Sequence, residues 1–183
     1  KYVWNLEAFS NLTPKSNSQF LGLFEPSHLK FEVDRSKDSA GEPSLAEMTA
    51  FAINRLSFDP KKDFFLLVEA GRIDHGHHAG NAYRALTDTV AFSDAIKVAK
   101  SLVDINKTLM IVTADHSHTM TISGYPSRGN PILGLVDTMK DATSKPYTTI
   151  SYANGPGYQR SIPDLSKIDV KDINYRQLAS VPM

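Results

Sequence analysis

Residues 64–78 read FFLLVEAGRIDHGHH and residues 108–118 read TLMIVTADHSH; each stretch begins as an apolar run and ends in acids and histidines. Residues 64–68, bounded by charge, have the pattern of a strand covered on both faces in a parallel sheet, and residues 108–115 repeat it. Between them, Ala79 to about Val103 has helical spacing, with Tyr83, Leu86 and Val90 on one stripe and Phe92, Ile96, Ala99 and Val103 on another. Strand, helix and strand in that order make a βαβ unit. Ligands of such sheets gather beyond the carboxyl ends of the strands, where both runs of acids and histidines fall.

The flanking sequence is consistent with this frame. Residues 1–41 read as loops and short elements, with turn chemistry at Pro14, Pro26 and residues 34–41. Pro43 suits a first helical position, Ser44 and Glu47 have capping-box spacing, and Leu45, Met48, Ala52 and Leu56 make one apolar face. That helix is expected to stop near Asp59-Pro60. After His118 glycine and proline punctuate the chain, as SGYPSRGNP and ANGPGY, with one strand expected at residues 147–152.

Composition narrows the chemistry. The chain has 183 residues, 41% apolar and 22% charged, which is ordinary globular composition. Twenty basic side chains balance twenty acidic ones, so no net field favours nucleic acid or an anionic membrane. The absence of cysteine removes disulfides, thiolate zinc sites and cysteine nucleophiles together. No apolar run reaches the roughly 18 residues of a membrane span. The start, KYVWNLEAFSN, has neither an initiator methionine nor the build of a signal peptide, so Lys1 is not expected to be the first residue of the gene product.

Three of the six histidines lie between Glu69 and His78. Asp74 and His78, four apart, share a face if a helix begins near Asp74, and can then share a metal. Asp115 and His116 are neighbours at a strand end. Carboxylate and imidazole without thiolate suit zinc in a catalytic site, and Glu69 offers a hard oxygen better matched to magnesium. Glu69, Asp74 and Asp115 gathered at one sheet edge would repel one another, and cations remove that penalty. Two zinc ions about 4 Å apart would clamp the attacking and leaving oxygens of a phosphoryl transfer. His118 reads as a partner that orients a metal ligand rather than as a ligand. His75 and His77 can be simply solvated, and His28 is expected to be.

These residues resemble the alkaline phosphatases, homodimeric enzymes with two zinc ions and one magnesium that hydrolyse phosphate monoesters through a phosphoserine. Beyond the two quoted stretches, YVWN at Tyr2, GLFEP at Gly22, PSLAEM at Pro43, GYPSRG at Gly124, NGPGY at Asn154 and YRQLASVP at Tyr175 look like family landmarks. His75 makes the likeness closer to the animal-type and related marine bacterial branch than to the enteric one. The resemblance implies a three-layer α/β/α sandwich with a mostly parallel sheet, present here in part. Residues 1–118 would be part of the catalytic domain, and 119–183 a crown-like surface insertion and return segment. It further implies that Asp74 and His78 bind the first zinc, Asp115 and His116 the second, and Glu69 magnesium, with His118 supporting the first site and His75 near the phosphate. The Phe24 carbonyl, Glu25 and Glu42 match a segment that supplies a peripheral calcium site. Substrates would be phosphate monoesters, with inorganic phosphate as product, and the location periplasmic or extracellular.

The departures are as informative. The family's nucleophilic serine sits in an Asp-Ser-Ala context at a strand-to-helix turn; Asp38-Ser39-Ala40 has those letters but lies in a polar loop at the wrong place in the order. The nucleophile and phosphate-clamping arginine are expected in an amino-terminal half outside this chain, and a third ligand of the first zinc beyond Val181. The chain alone is therefore expected to be inactive without the remaining part of the same enzyme. The alternatives are another metal-dependent member of the superfamily, a phosphodiesterase or phosphoglycerate mutase, and a metal-binding module that turns nothing over.

Overall fold

Ser44 and Glu47 form the expected capping box at the head of one helix in the computed structural model, which describes residues 1–16, 18–138, 145–153 and 165–175. Glu47 N–H donates to the Ser44 hydroxyl at 3.2 Å and Ser44 N–H to the Glu47 carboxylate at 2.7 Å, satisfying two of the helix's orphan donors. Ser44 being the cap, the helix runs Leu45–Leu56 (α2), and Pro43 stands one position before the cap rather than inside the first turn. The end comes at Leu56, ahead of Asp59-Pro60, where the Ser57 hydroxyl and amide both bond the Ile53 carbonyl.

The chain divides into two compact units, residues 1–72 with 87–113, and residues 73–86 with the described residues from 114 onward. In the first, β1 (Tyr2–Val3) pairs in parallel with β2 (Leu21–Gly22), and α1 (Leu6–Ser10) starts on an Asn5 side-chain cap. A 3-10 helix spans Glu32–Lys37. Phe51 on α2 packs against Phe9 and Phe20 with ring centroids 5.4 and 5.2 Å apart, and Phe9 meets Phe24 edge-on at 5.9 Å, an aromatic nucleus for this unit.

The helical sequence from Arg72 to Leu102 forms two helices, α3 (Arg72–His78) and α4 (Ala82–Leu102), the second of which fills most of the stretch expected from Ala79 to about Val103. Gly80 breaks it by adopting φ 62, a left-handed conformation that glycine adopts without a Cβ penalty, and the Asn81 side chain caps α4 by accepting from Arg84 N–H at 3.0 Å. The buried seam of α4 is Ala82, Ala85, Asp88 and Ala95, not the expected Tyr83–Leu86–Val90 stripe; Val90 is 60% exposed. At Ala85 only a small side chain fits because α3 lies close by: a Cβ on Gly76 would stand 2.7 Å from the Ala85 amide nitrogen.

The two apolar runs depart from expectation. Among the described residues neither 64–68 nor 108–115 has a ladder partner. Burial alternates along the first, with Phe64, Leu66 and Val68 half-buried while Phe65 and Leu67 are 88% and 78% exposed. Leu109 and Ile111 are 85% and 77% exposed. The period-2 alternation is that of a strand, but a strand is completed by its neighbour, and the described residues supply none.

In the second unit β3 (Met120–Ile122) pairs antiparallel with β4 (Ile150–Tyr152), Met120 opposite Tyr152, and Leu135 bridges Thr148. The expected strand at 147–152 thus shortens to its last three residues. Ala82, Ile150 and Tyr152 form the core, flanked by Leu86, Met120 and Leu133. Helices and small sheets make this an α/β protein. The NGPGY landmark and residues 176–182 of YRQLASVP lie outside the described residues, and no helix among those described is long and apolar enough to cross a membrane.

Candidate metal centre

One turn of α3 puts Asp74 and His78 on the same face, with His78 Nε2 3.4 Å from Asp74 Oδ2. The other carboxylate oxygen, Oδ1, lies 2.7 Å from His118 Nε2, the distance of a charge-assisted hydrogen bond. His116 Nε2 stands 3.6 Å from the same Oδ1 and 3.4 Å from Asp115 Oδ2, so both acid–histidine pairs meet through one imidazole. Among the described residues, the group with donor atoms all within 4.8 Å of one another is Asp74, His78 and His118.

The spacings distinguish two kinds of contact. Within each pair, Asp74–His78 and Asp115–His116, oxygen and nitrogen are 3.4 Å apart. That exceeds a well-formed hydrogen bond, yet two donors each about 2.0–2.1 Å from a tetrahedral zinc stand roughly 3.3–3.4 Å apart. His118 to Asp74, at 2.7 Å, is an ordinary donor–acceptor contact. His116 Nδ1 is 3.0 Å from the Ser117 carbonyl, which only an N–H can satisfy, leaving Nε2 the lone pair in the neutral ring. The donor set, carboxylate and imidazole in a chain without cysteine, therefore fits zinc.

Electrostatics follows the geometry. Burial pushes the Asp74 carboxyl up, but the His118 hydrogen bond and the charges of His78, His118 and His116 outweigh it and hold the group below the usual carboxylate range. His116 is raised by its bond to the Ser117 carbonyl and by Asp115 and Asp74. His77 is lowered, by burial first and then by His118, and is not the solvated side chain that sequence allowed: its Nδ1 is 2.9 Å from the Tyr152 hydroxyl and its ring stacks on His118. His75 is half-buried on α3 rather than solvated, His28 is exposed, and Glu69 is an exposed side chain of the first unit.

In the first unit, Glu42 is 2% exposed; its Oε1 accepts from Lys30 N–H at 2.8 Å and its Oε2 has no hydrogen-bond partner. Burial pushes its carboxyl up, with the Glu25 and Asp38 charges adding. Glu25 pairs with Lys30 Nζ at 2.7 Å, and Asp38 Oδ2 is likewise buried without a partner. An unpartnered carboxylate oxygen among other acids is the environment a hard cation relieves, which fits the calcium expectation for Glu25 and Glu42. Asp38, read from sequence as part of a polar loop, joins that cluster through the turn after the 3-10 helix.

A family model described as alkaline phosphatase matches residues 1–183. The chain is 45% identical over 185 residues to the tissue-nonspecific isozyme of alkaline phosphatase from Felis catus, covering 100% of this chain and 35% of that protein. It is 44% identical over 185 residues to the isozyme of that name from Homo sapiens, with the same coverage. Against the alkaline phosphatase of Gadus morhua it is 42% identical over 185 residues, 100% of this chain and 38% of that protein. The chain thus spans little more than a third of the length of the curated relatives it matches.

Proposed function

The chain belongs to the alkaline phosphatase family, and on that premise we propose that it is the metal-ligand-bearing part of a phosphate-monoester hydrolase with two zinc ions and one magnesium. Asp74 and His78 hold the first zinc, Asp115 and His116 the second, and Glu69 contributes to magnesium. Bound there, the ions supply Lewis acidity to the attacking and leaving oxygens of the phosphoryl group.

The residues of this chain do the positioning. His118 donates to Asp74 Oδ1 and so turns Oδ2 toward His78. The Ser117 carbonyl fixes the His116 ring with Nε2 facing both aspartates. His75 lies near the phosphate, and the Phe24 carbonyl, Glu25 and Glu42 form a peripheral calcium site. The nucleophilic serine, phosphoserine formation, the clamping arginine and the last zinc ligand belong to the remaining part of the same enzyme. Exposed Phe65, Leu67, Leu109 and Ile111 on partnerless strand-like segments support such an association, by strand addition. Residues 1–118 then belong to the catalytic domain of a three-layer sandwich and 119–183 to a crown-like insertion and return, in a homodimer exported to the periplasm or the cell exterior.

The observation that carries this reading is the pair of 3.4 Å acid–histidine separations linked by His116 Nε2, which lies 3.6 Å from Asp74 Oδ1. Its test is hydrolysis of aryl phosphate monoesters and diesters by the intact, zinc-loaded protein that carries this chain. Monoester turnover that Asp74→Asn abolishes is expected. A strong diester preference assigns the site to another enzyme of the superfamily, and zinc retention without turnover assigns it to a binding module.

A further inference from the structure

Tyr152 is 4% exposed in the core of the second unit, yet its hydroxyl is spent on a residue of α3, standing 2.9 Å from His77 Nδ1. The His77 ring stacks on His118 with centroids 4.7 Å apart and planes 27° from parallel. His118, in turn, bonds Asp74. The backbone makes a second connection to the same tyrosine. Met120 lies opposite Tyr152 in the β3–β4 ladder, and Ala153 N–H donates to the Thr119 carbonyl at 2.8 Å, so the segment leaving His118 is pinned to β4. Tyr152 thus sets α3 by its hydroxyl and residues 119–120 by its strand.

We propose that Tyr152 and His77 are positioning residues that hold the His118 ring in the plane from which it bonds Asp74. His118 packs edge-on against His78 at 5.1 Å and tilted against His116 at 5.2 Å. Those two imidazoles are exposed, whereas His77 is tied to a buried hydroxyl, so His77 is the wall with a fixed reference. Without that wall the His118 ring can rotate, and Asp74 Oδ1 loses its donor. This inference rests on the metal reading above only for its second readout.

The test uses the intact protein carrying this chain, with Tyr152→Phe, which deletes the hydroxyl and keeps the ring, and His77→Asn, which keeps a polar atom near the Nδ1 position and deletes the stack. A third variant, Ile150→Val, is a packing lesion in the same strand and serves as the structural control. In the metal-free protein, the imidazole 15N resonances of His118 are expected to move toward rotationally averaged values in Tyr152→Phe and His77→Asn and to stay in place in Ile150→Val. Zinc retention against a competing chelator is expected to fall about 10-fold in the first two variants, as for other residues that orient a metal ligand. The proposal is overturned if His118 is unmoved in both variants, or if Ile150→Val moves it as far. A parent protein that binds no zinc would defeat the metal reading instead, while the His118 resonances still decide this one.

Discussion

Replacing Asp88 by asparagine should stabilise the protein at neutral and alkaline pH and leave it unchanged in acid. Asp88 sits on the buried seam of α4, 9% exposed, and its Oδ2 accepts the Glu32 N–H at 3.2 Å at the head of the 3-10 helix. Burial pushes its carboxyl from 3.8 up to about 6; the Glu32 bond and the Arg72 charge oppose that shift without cancelling it. A folded-state value above the unfolded one means that folding favours the protonated acid. The associated stability is therefore complete below the unfolded pKa of 3.8 and is lost as pH rises through about 6. At about 1.4 kcal/mol per pH unit, the loss approaches ~3 kcal/mol. Asparagine has nearly the same shape, carries no charge and keeps a carbonyl oxygen for Glu32. A gain of about 1–3 kcal/mol near pH 8, and none near pH 4, is expected from urea unfolding of parent and variant. Parallel pH profiles, or a variant weaker than the parent near pH 8, would show that burial does not raise the Asp88 carboxyl above its unfolded value and would refute the reasoning.

Three further outcomes follow from local geometry. Gly76→Ala puts a Cβ 2.7 Å from the Ala85 amide nitrogen, so α3 must lift from α4; a loss of roughly 1–3 kcal/mol in thermal unfolding and weaker zinc binding at the proposed Asp74–His78 pair are expected together. Ser44→Ala removes half of the capping box and should cost about 1 kcal/mol in urea unfolding without altering zinc binding. Leu109→Lys with Ile111→Lys, at side chains already 85% and 77% exposed, should leave thermal stability within about 0.5 kcal/mol and raise the concentration at which this chain alone aggregates, read by light scattering.

Much of the site was legible because its elements are local. Asp74 and His78 are one helical turn apart and Asp115 and His116 are adjacent, so each pair could be read from spacing alone. The His118 contact with Asp74 was anticipated as well, since a carboxylate expected to bind metal calls for a donor. The capping box at Ser44 was equally local. What escaped was set at long range or by bulk. His77 pairs with Tyr152, 75 positions away, and no spacing announces that bond. Ala85 is buried on α4 because Gly76 brings α3 close there, a tertiary fact that spacing does not announce. Residues 79–81, with Gly80 left-handed, separate α3 from α4, a break that the apolar spacing from Ala79 onward does not announce. Asp38 looked like part of a solvated turn, and only the fold sets it near buried Glu42. Residues 64–68 kept the alternation of a strand without the ladder, and residues 108–115 have no ladder partner among the described residues either, because pattern specifies which side chains are apolar but not who supplies the neighbouring chain.

The central claim is that Asp74 with His78, and Asp115 with His116, are zinc ligand pairs. X-ray absorption at the zinc edge of the protein titrated with zinc alone tests it most directly, with Asp74→Asn and Asp115→Asn measured alongside. A shell of nitrogen and oxygen donors at about 2.0–2.1 Å with imidazole scattering is expected, and the loss of a different part of the bound zinc in each variant. Zinc bound equally by the parent and both variants, or a shell without imidazole, would contradict it.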